Sequence, residues 1–416
     1  MSLFELRPSL VPLCKKMQPT MRCPQWAAPR DSGQRGRGIA TRRSGDELSL
    51  PRYHEGVTLR RLVPLINVLG PVLAVALLAV FWGQELTIAA VVILSVVLLG
   101  GVISAVHHVD VIAAYVGRVG GAIILALAVT IIEVTLILGI VLAAGESAAA
   151  LGRDTVFAAV MITTNGIIGL SVVAATLKAP TSSFNSEGSG AALGAIAVIA
   201  TLSLVIPSFT IGSTGPTFTT PQLLFVGFAA FGVYILFLYI LTVKNREHFE
   251  DSSSPPTQSL RIVPSQGKFV GSIIFLVTAL AIIVGLSQVL SPAIESAVLG
   301  AGLPLTFVAV AIAVVILLPE GAAAFRYARQ GHLQSSFNIG YGSALASIGL
   351  TIPALVVVSL VLDFDLEFGL RPIDIVLFLL TLVVSTVTVA SHRVTLFQGG
   401  LHLAIFAAFL FLSVSP

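Results

Sequence analysis

Cysteine is almost absent from this chain: Cys14 and Cys23 are the only two, both near the N-terminus with no histidine cluster beside them. Neither a disulfide framework nor a zinc site is supported. Charge is scarce as well. Only 10% of the 416 residues are Asp, Glu, Lys or Arg, against about 25% in a soluble domain, while 56% are apolar and the mean hydropathy is +0.99. A soluble globular protein is excluded. Segments of about ten residues with strict apolar/polar alternation are missing, which argues against a transmembrane barrel. The HExxH spacing of a zinc protease is missing too, and SEGSG at 186–190 falls in an expected loop with no histidine placed to activate a serine, so an enzyme is not expected.

What the chain does have is a series of apolar runs, each long enough to cross about 30 Å of hydrocarbon as a helix. Eleven are expected, at 62–82, 86–106, 119–144, 155–177, 191–211, 222–243, 268–290, 303–325, 336–362, 373–390 and 394–414. The fold class is therefore an all-α integral membrane protein. Residues 1–61 carry 12 basic and 5 acidic side chains in a stretch rich in Arg, Gly, Ser and Pro, which reads as a disordered cytoplasmic tail rather than a nucleic-acid-binding arm. With that end inside, the cytoplasmic connections hold Arg118, Lys178, Lys244, Arg246, Arg261, Lys268, Arg326, Arg329 and Arg393, and the opposite side only Arg153 and Arg371, in keeping with the positive-inside rule. The C-terminus then lies outside.

The polar stretch 244–267 reads as a cytoplasmic linker. It divides the chain into an extra first helix (62–83), one membrane half (84–243) and a second (268–416). Each half has five spans, and five is odd, so the halves enter the membrane in opposite senses as an inverted repeat. Residues 154–171 align without gaps on 334–351, with Phe157 on Phe337, Ile168, Gly169 and Leu170 on Ile348, Gly349 and Leu350, and Ser171 opposite Thr351.

Each half also has one isolated acid inside a span. Glu133 is the only charge between Arg118 and Glu146, and Glu320 stands in AVAIAVVILLPEGAAAF. A charged side chain at the bilayer centre costs about 2.5–3.5 kcal/mol, and such groups face a cavity or one another. No Lys or Arg lies deep in an expected span to pair with them. Two carboxylates match a divalent cation, but calcium takes 6–8 oxygens. Thr130, Thr163, Thr164, Asn165, Asn338, Ser343 and Ser347 are the candidates for the remainder, together with carbonyls freed where Pro319 interrupts its helix. Hydroxyls in membrane helices also commonly bond their own backbone. Burial and mutual repulsion favour protonated carboxyls when no cation is present, and a dication displaces those protons. Calcium and protons then compete for one midplane site.

The segments TIIEVTLI (130–137), LLPEGAAAFRYA (317–328), GRDTVFAAVMITTNGIIGL (152–170) and SALASIGLTIPALVV (343–357) resemble the bacterial calcium/proton antiporters of the ChaA type, within the calcium:cation antiporter superfamily. The resemblance covers roughly 62–414. It implies two inverted five-helix halves behind an extra helix, Glu133 and Glu320 as the ion- and proton-binding residues, and sliding gates at 86–106 and 268–290. It also implies a bacterial inner-membrane transporter that exchanges calcium, and in some members sodium or potassium, for protons, with the bilayer and the ions as its partners and no cofactor. A monovalent cation/proton antiporter and a passive cation channel are the alternatives. The pattern departs from the Gly-Asn pair that many superfamily members place before each acid: Val129 and Thr130 stand there in the first half, Ile316 and Leu317 in the second. Glu247, Glu250 and Asp251 in the linker, and His107 and His108 beside Asp110 at an expected cytoplasmic helix end, read as solvated groups.

Overall fold

The computed structural model describes residues 71, 73–116, 130–135, 137, 149–177, 180–213, 215–244, 265–304, 306–362 and 365–415. The tail, the linker acids, the first part of the expected span 62–82 and most of 119–144 lie outside them. Helix α1 is Ile88–Val116. Next come α2 (Leu151–Met161), a π turn at Ile162–Ile167 and α3 (Ile168–Thr176), which together make one span. After strand β1 (Ser182–Ser183) come α4 (Ser186–Ala200), α5 (Thr220–Tyr239), α6 (Gln266–Gly300) and α7 (Thr306–Arg329). Helix α8 (Leu333–Ala346) continues through a π turn at Ser347–Thr351 into α9 (Ile352–Leu362). The described chain ends with α10 (Pro372–Ala390), β2 (Arg393–Val394) and α11 (Leu396–Val414).

Among the described residues seven helices are long and apolar enough to cross a bilayer, and α7 makes an eighth although it bends by 52° between Thr306–Leu318 and Glu320–Arg329. The bend falls at Pro319, whose missing N–H leaves the Val315 carbonyl without its helical donor. These eight match the expected spans from 155–177 onward. The span expected at 86–106 differs: only Ile88–Gly101 is strongly apolar, and the helix continues through His107 and His108 to Val116, ten residues past the expected end. His108 is not solvated. It stacks on Phe275 at 5.1 Å between ring centroids and lies 3.4 Å from the Ser272 hydroxyl, so packing against α6 shelters a polar side chain there. SEGSG likewise forms the first turn of α4 rather than a loop, because Asn185 caps it by accepting from the amides of Glu187 (2.9 Å) and Gly188 (3.3 Å).

The loop contacts alternate from end to end. On one side β1 pairs antiparallel with β2, and the Asn185 amide donates to Gln334 Oε1 at 2.7 Å. On the other, the Leu370 amide donates to the Leu204 carbonyl (2.8 Å), the Glu367 amide to the Ala149 carbonyl (3.1 Å), and the Thr306 hydroxyl to Asp154 (3.0 Å). Successive spans from α2–α3 onward therefore run in opposite directions. Arg153 and Arg371, the two basic residues assigned to the outer side, are both neutralised: Arg153 bonds Asp154 at 2.7 Å and the Gly369 carbonyl at 2.6 Å, and Arg371 clamps Asp374 at 2.7 and 3.2 Å. Arg153 is also buried, inside the first turn of α2 rather than in a loop.

The two halves repeat each other in detail. Each of the aligned segments 154–171 and 334–351 passes from α-helix through a π turn, with Phe157 and Phe337 both buried. Gly169 lies against α11, where a Cβ would stand 3.1 Å from His402 Cβ, and Gly349 lies against α5, where it would stand 2.6 Å from Tyr234 Cβ. Helices α5 and α11, the last of each half, begin with the same capping device: the Thr219 amide donates to Gln222 Oε1 at 2.9 Å, the Thr395 amide to Gln398 Oε1 at 2.8 Å. A Gly349→Ala change is expected to cost about 1–3 kcal/mol by overpacking, read as a lower Tm in detergent. Gly232→Ala on α5, with nothing within 4 Å of the added Cβ, is expected to leave Tm unchanged.

Most buried apolar side chains belong to one core built from α2–α5 and α7–α11, joined by Val298 near the end of α6. Helices α1 and α6 pack extensively on each other and carry two smaller clusters, one of them shared with Ala74, Leu77, Leu78 and Phe81. One of these reaches the rest of the protein at Ile132 and Ile316.

Candidate functional site

Glu133 is only 2% exposed. Its carboxylate accepts from the Ser347 hydroxyl at 2.9 and 3.0 Å and from the Thr351 hydroxyl at 2.7 Å. Both donors come from the π turn of the other half, more than two hundred residues away in sequence. A π turn inserts an extra residue per turn and re-aims the side chains that follow, and here it sets Ser347 and Thr351, four residues apart, on the face toward Glu133. Ser343 lies one turn earlier and lines the same small cavity, with Glu133, Ser347, Ala159, Ala313, Ile316 and Leu317. Its volume is about 10 Å³, room for about one water-sized particle. Thr351 was absent from the sequence-derived candidates. Its position, one helical turn after Ser347 and opposite Ser171 in the repeat alignment, is the signal that could have found it.

Glu320 is half-buried, with an inaccessible Oε2, on the second leg of α7 just past the bend. It does not line the Glu133 cavity, whereas Ile316 and Leu317, on the preceding turn, do. Thr130 is buried one turn before Glu133. The remaining candidates lie elsewhere. Thr163 donates to the Ala159 carbonyl at 2.7 Å and Thr164 to that of Val160 at 2.6 Å, both within their own helix. Asn338 accepts from Gln334 Nε2 at 2.9 Å.

Asn165 belongs to a second buried polar network. Its Nδ2 donates to Thr381 at 2.9 Å, its Oδ1 lies 3.2 Å from His402 Nδ1, and His402 Nε2 lies 3.1 Å from the Thr388 hydroxyl. With the amide nitrogen turned to Thr381, Oδ1 accepts from Nδ1–H of His402. The π turns of the two aligned segments thus do different work: Ser347–Thr351 offers hydroxyls to a carboxylate, and Ile162–Ile167 ties α2–α3 to α10 and α11. Among the described residues no cluster of three or more His, Cys, Asp or Glu is found, so a cation here would rest on carboxylate, hydroxyl and carbonyl oxygens, the donors that hard ions prefer.

The family model described as sodium/calcium exchanger protein matches residues 86–243 and 271–415, one segment per half. The chain belongs to the sodium/calcium exchanger family. This exchanger is similar to the Escherichia coli protein named sodium-potassium/proton antiporter ChaA, at 30% identity over 83% of the chain and 94% of the relative. It is 41% identical to a Sinorhizobium fredii protein that carries the provisional name ionic transporter y4hA, over 85% of the chain and 97% of the relative. Among solved structures, YfkE superposes with a TM-score of 0.62 at 18% identity, covering 85% of this chain and 99% of that one. The H+/Ca2+ exchanger CAX does so with a TM-score of 0.62 at 12% identity, covering 86% and 93%. The fold is shared with both, and the chain is a multi-pass membrane cation antiporter.

Proposed function

We propose that this exchanger moves calcium against protons by alternating access, with Glu133 and Glu320 as the groups that carry both. The observation that bears the most weight is the buried Glu133 carboxylate, held by hydroxyls of the opposite half beside a one-particle cavity. Glu133 supplies two oxygens, and Ser343, Ser347 and Thr351 one each. The two of Glu320 bring the set into the 6–8 range that calcium takes, with a charge that matches it. Leu317 occupies the position where many superfamily members have an asparagine, so hydroxyls from the π turn at Ser347–Thr351 take over part of the ligand shell.

Gating follows from how α1 and α6 are attached. They form a packed pair that meets the site helices at Ile132, beside Glu133, and Ile316, one turn before Glu320. Sliding of that pair moves both acids' helices from the same contact. The α1–α6 pair thus acts as the gate, and the side rich in Lys and Arg faces the cytoplasm of a bacterial inner membrane.

Everted vesicles with an imposed pH gradient test the reading. Calcium addition is expected to dissipate the gradient, and calcium flux without a pH change would reject exchange in favour of a channel. The ChaA name favours a second reading, exchange of sodium or potassium for protons; the same vesicles given those ions separate the two. Because cation binding displaces protons, the apparent calcium affinity is expected to fall as pH is lowered, by up to about tenfold per pH unit for each proton displaced.

A further inference from the structure

A second, much larger cavity of about 450 Å³ opens sideways between α7 and the first π turn, lined among others by Ile162, Gly166, Leu170, Leu317, Phe325 and Phe406. Its walls carry almost no polar surface. At its edge Leu318 is 55% exposed, Leu170 46% and Phe325 39%. These residues lie within apolar spans, so the medium they meet is hydrocarbon rather than water. The cavity follows α7 from Val314, before the bend, to Phe325, near its end. There the last turn carries Arg326 and Arg329, and the Arg329 guanidinium sits 5.9 Å over the Phe325 ring. An apolar slot with the Arg329 guanidinium over the ring at its end fits a molecule with a hydrocarbon chain and an anionic head.

Leu317 connects this slot to the transport site. It lines both cavities, the lateral one and that of Glu133. We propose that the lateral cavity seats one acyl chain of an anionic phospholipid, whose packing holds Leu317 as the wall of the ion cavity. Without the chain, that wall has an open space behind it into which the leucine can turn.

Fluorescence quenching by acyl-brominated lipids tests this, using the full chain with Trp26 and Trp82 changed to Phe and a single probe from Phe325→Trp. Vesicles contain phosphatidylglycerol and phosphatidylcholine with the bromines on one or the other as a minor component. The expected result is about fivefold preferential quenching by the anionic species, as about one Arg-headgroup contact provides, with no preference for a Val361→Trp probe on the exposed face of α9. Equal quenching by both lipids at Phe325→Trp would overturn the site. Ala322→Phe, which fills the cavity from its own wall, is expected to abolish the preference, and a preference that survives it places the lipid elsewhere. These readouts do not depend on ion exchange, so they stand or fall apart from the proposed function. Exchange in vesicles of phosphatidylcholine alone is expected to be severalfold slower than with phosphatidylglycerol. Equal rates would overturn the role assigned to Leu317.

Discussion

Replacing Glu133 by Gln is expected to abolish calcium/proton exchange, by roughly a hundredfold or more, while leaving the protein inserted and folded. Glutamine keeps the shape and can still accept from Ser347 and Thr351, so the hydrogen bonds to the second half survive. What is lost is the negative charge that a desolvated cation needs and the group that exchanges a proton for it. Calcium-driven dissipation of a pH gradient in everted vesicles measures the loss, and thermal unfolding in detergent checks the fold. Glu320→Gln is expected to fall as far, although Glu320 stands past the bend of α7 and does not line the Glu133 cavity. Full exchange by both single variants would sink the shared site. Loss in Glu133→Gln alone would assign the chemistry to one acid and leave Glu320 a part in the bend.

The double change Ser347→Ala with Thr351→Val is expected to raise the calcium KM by about 10–100-fold. Each hydroxyl donates to a carboxylate that is almost fully buried, and removing a partner from a buried charged group costs about 1–3 kcal/mol or more. Both hydroxyls also belong to the oxygen set proposed for the ion. Thr163→Val and Thr164→Val form the contrast. Their hydroxyls bond carbonyls of their own helix and lie in the π turn that serves Asn165 and His402, so their KM is expected to change by less than about threefold. If the Thr163 and Thr164 variants lose calcium affinity and the Ser347/Thr351 variant keeps it, the ligands come from the first half's π turn.

How far the sequence reached differs between residue types. An isolated glutamate in an apolar helix has few physical options, so Glu133 could be singled out from its neighbours alone, and its burial agrees. Pro319 was equally plain, because a proline removes a helical hydrogen bond wherever the chain goes, and the 52° bend lies at that point. Hydroxyl residues were not legible in this way. Ser and Thr can satisfy themselves locally, as Thr163 and Thr164 do, or reach across to another helix, as Ser347 and Thr351 do. That choice depends on which face of the helix meets a partner. Asn165 shows the same limit: its amide suits a cation, yet it is engaged by Thr381 and His402.

Sequence by itself determined that the chain is an all-α membrane protein, and it led to the expectation of two halves of opposite sense with one isolated acid in each. Hydropathy, parity and desolvation are properties of local sequence, and they need no knowledge of neighbours. Only the tertiary structure decided that Glu133 is met by Ser347 and Thr351, that α1 and α6 pack as a pair of their own, and that Leu317 stands between an ion-sized cavity and a lateral apolar one. Those facts depend on π turns that rotate side chains by a fraction of a turn and on contacts between residues more than two hundred positions apart.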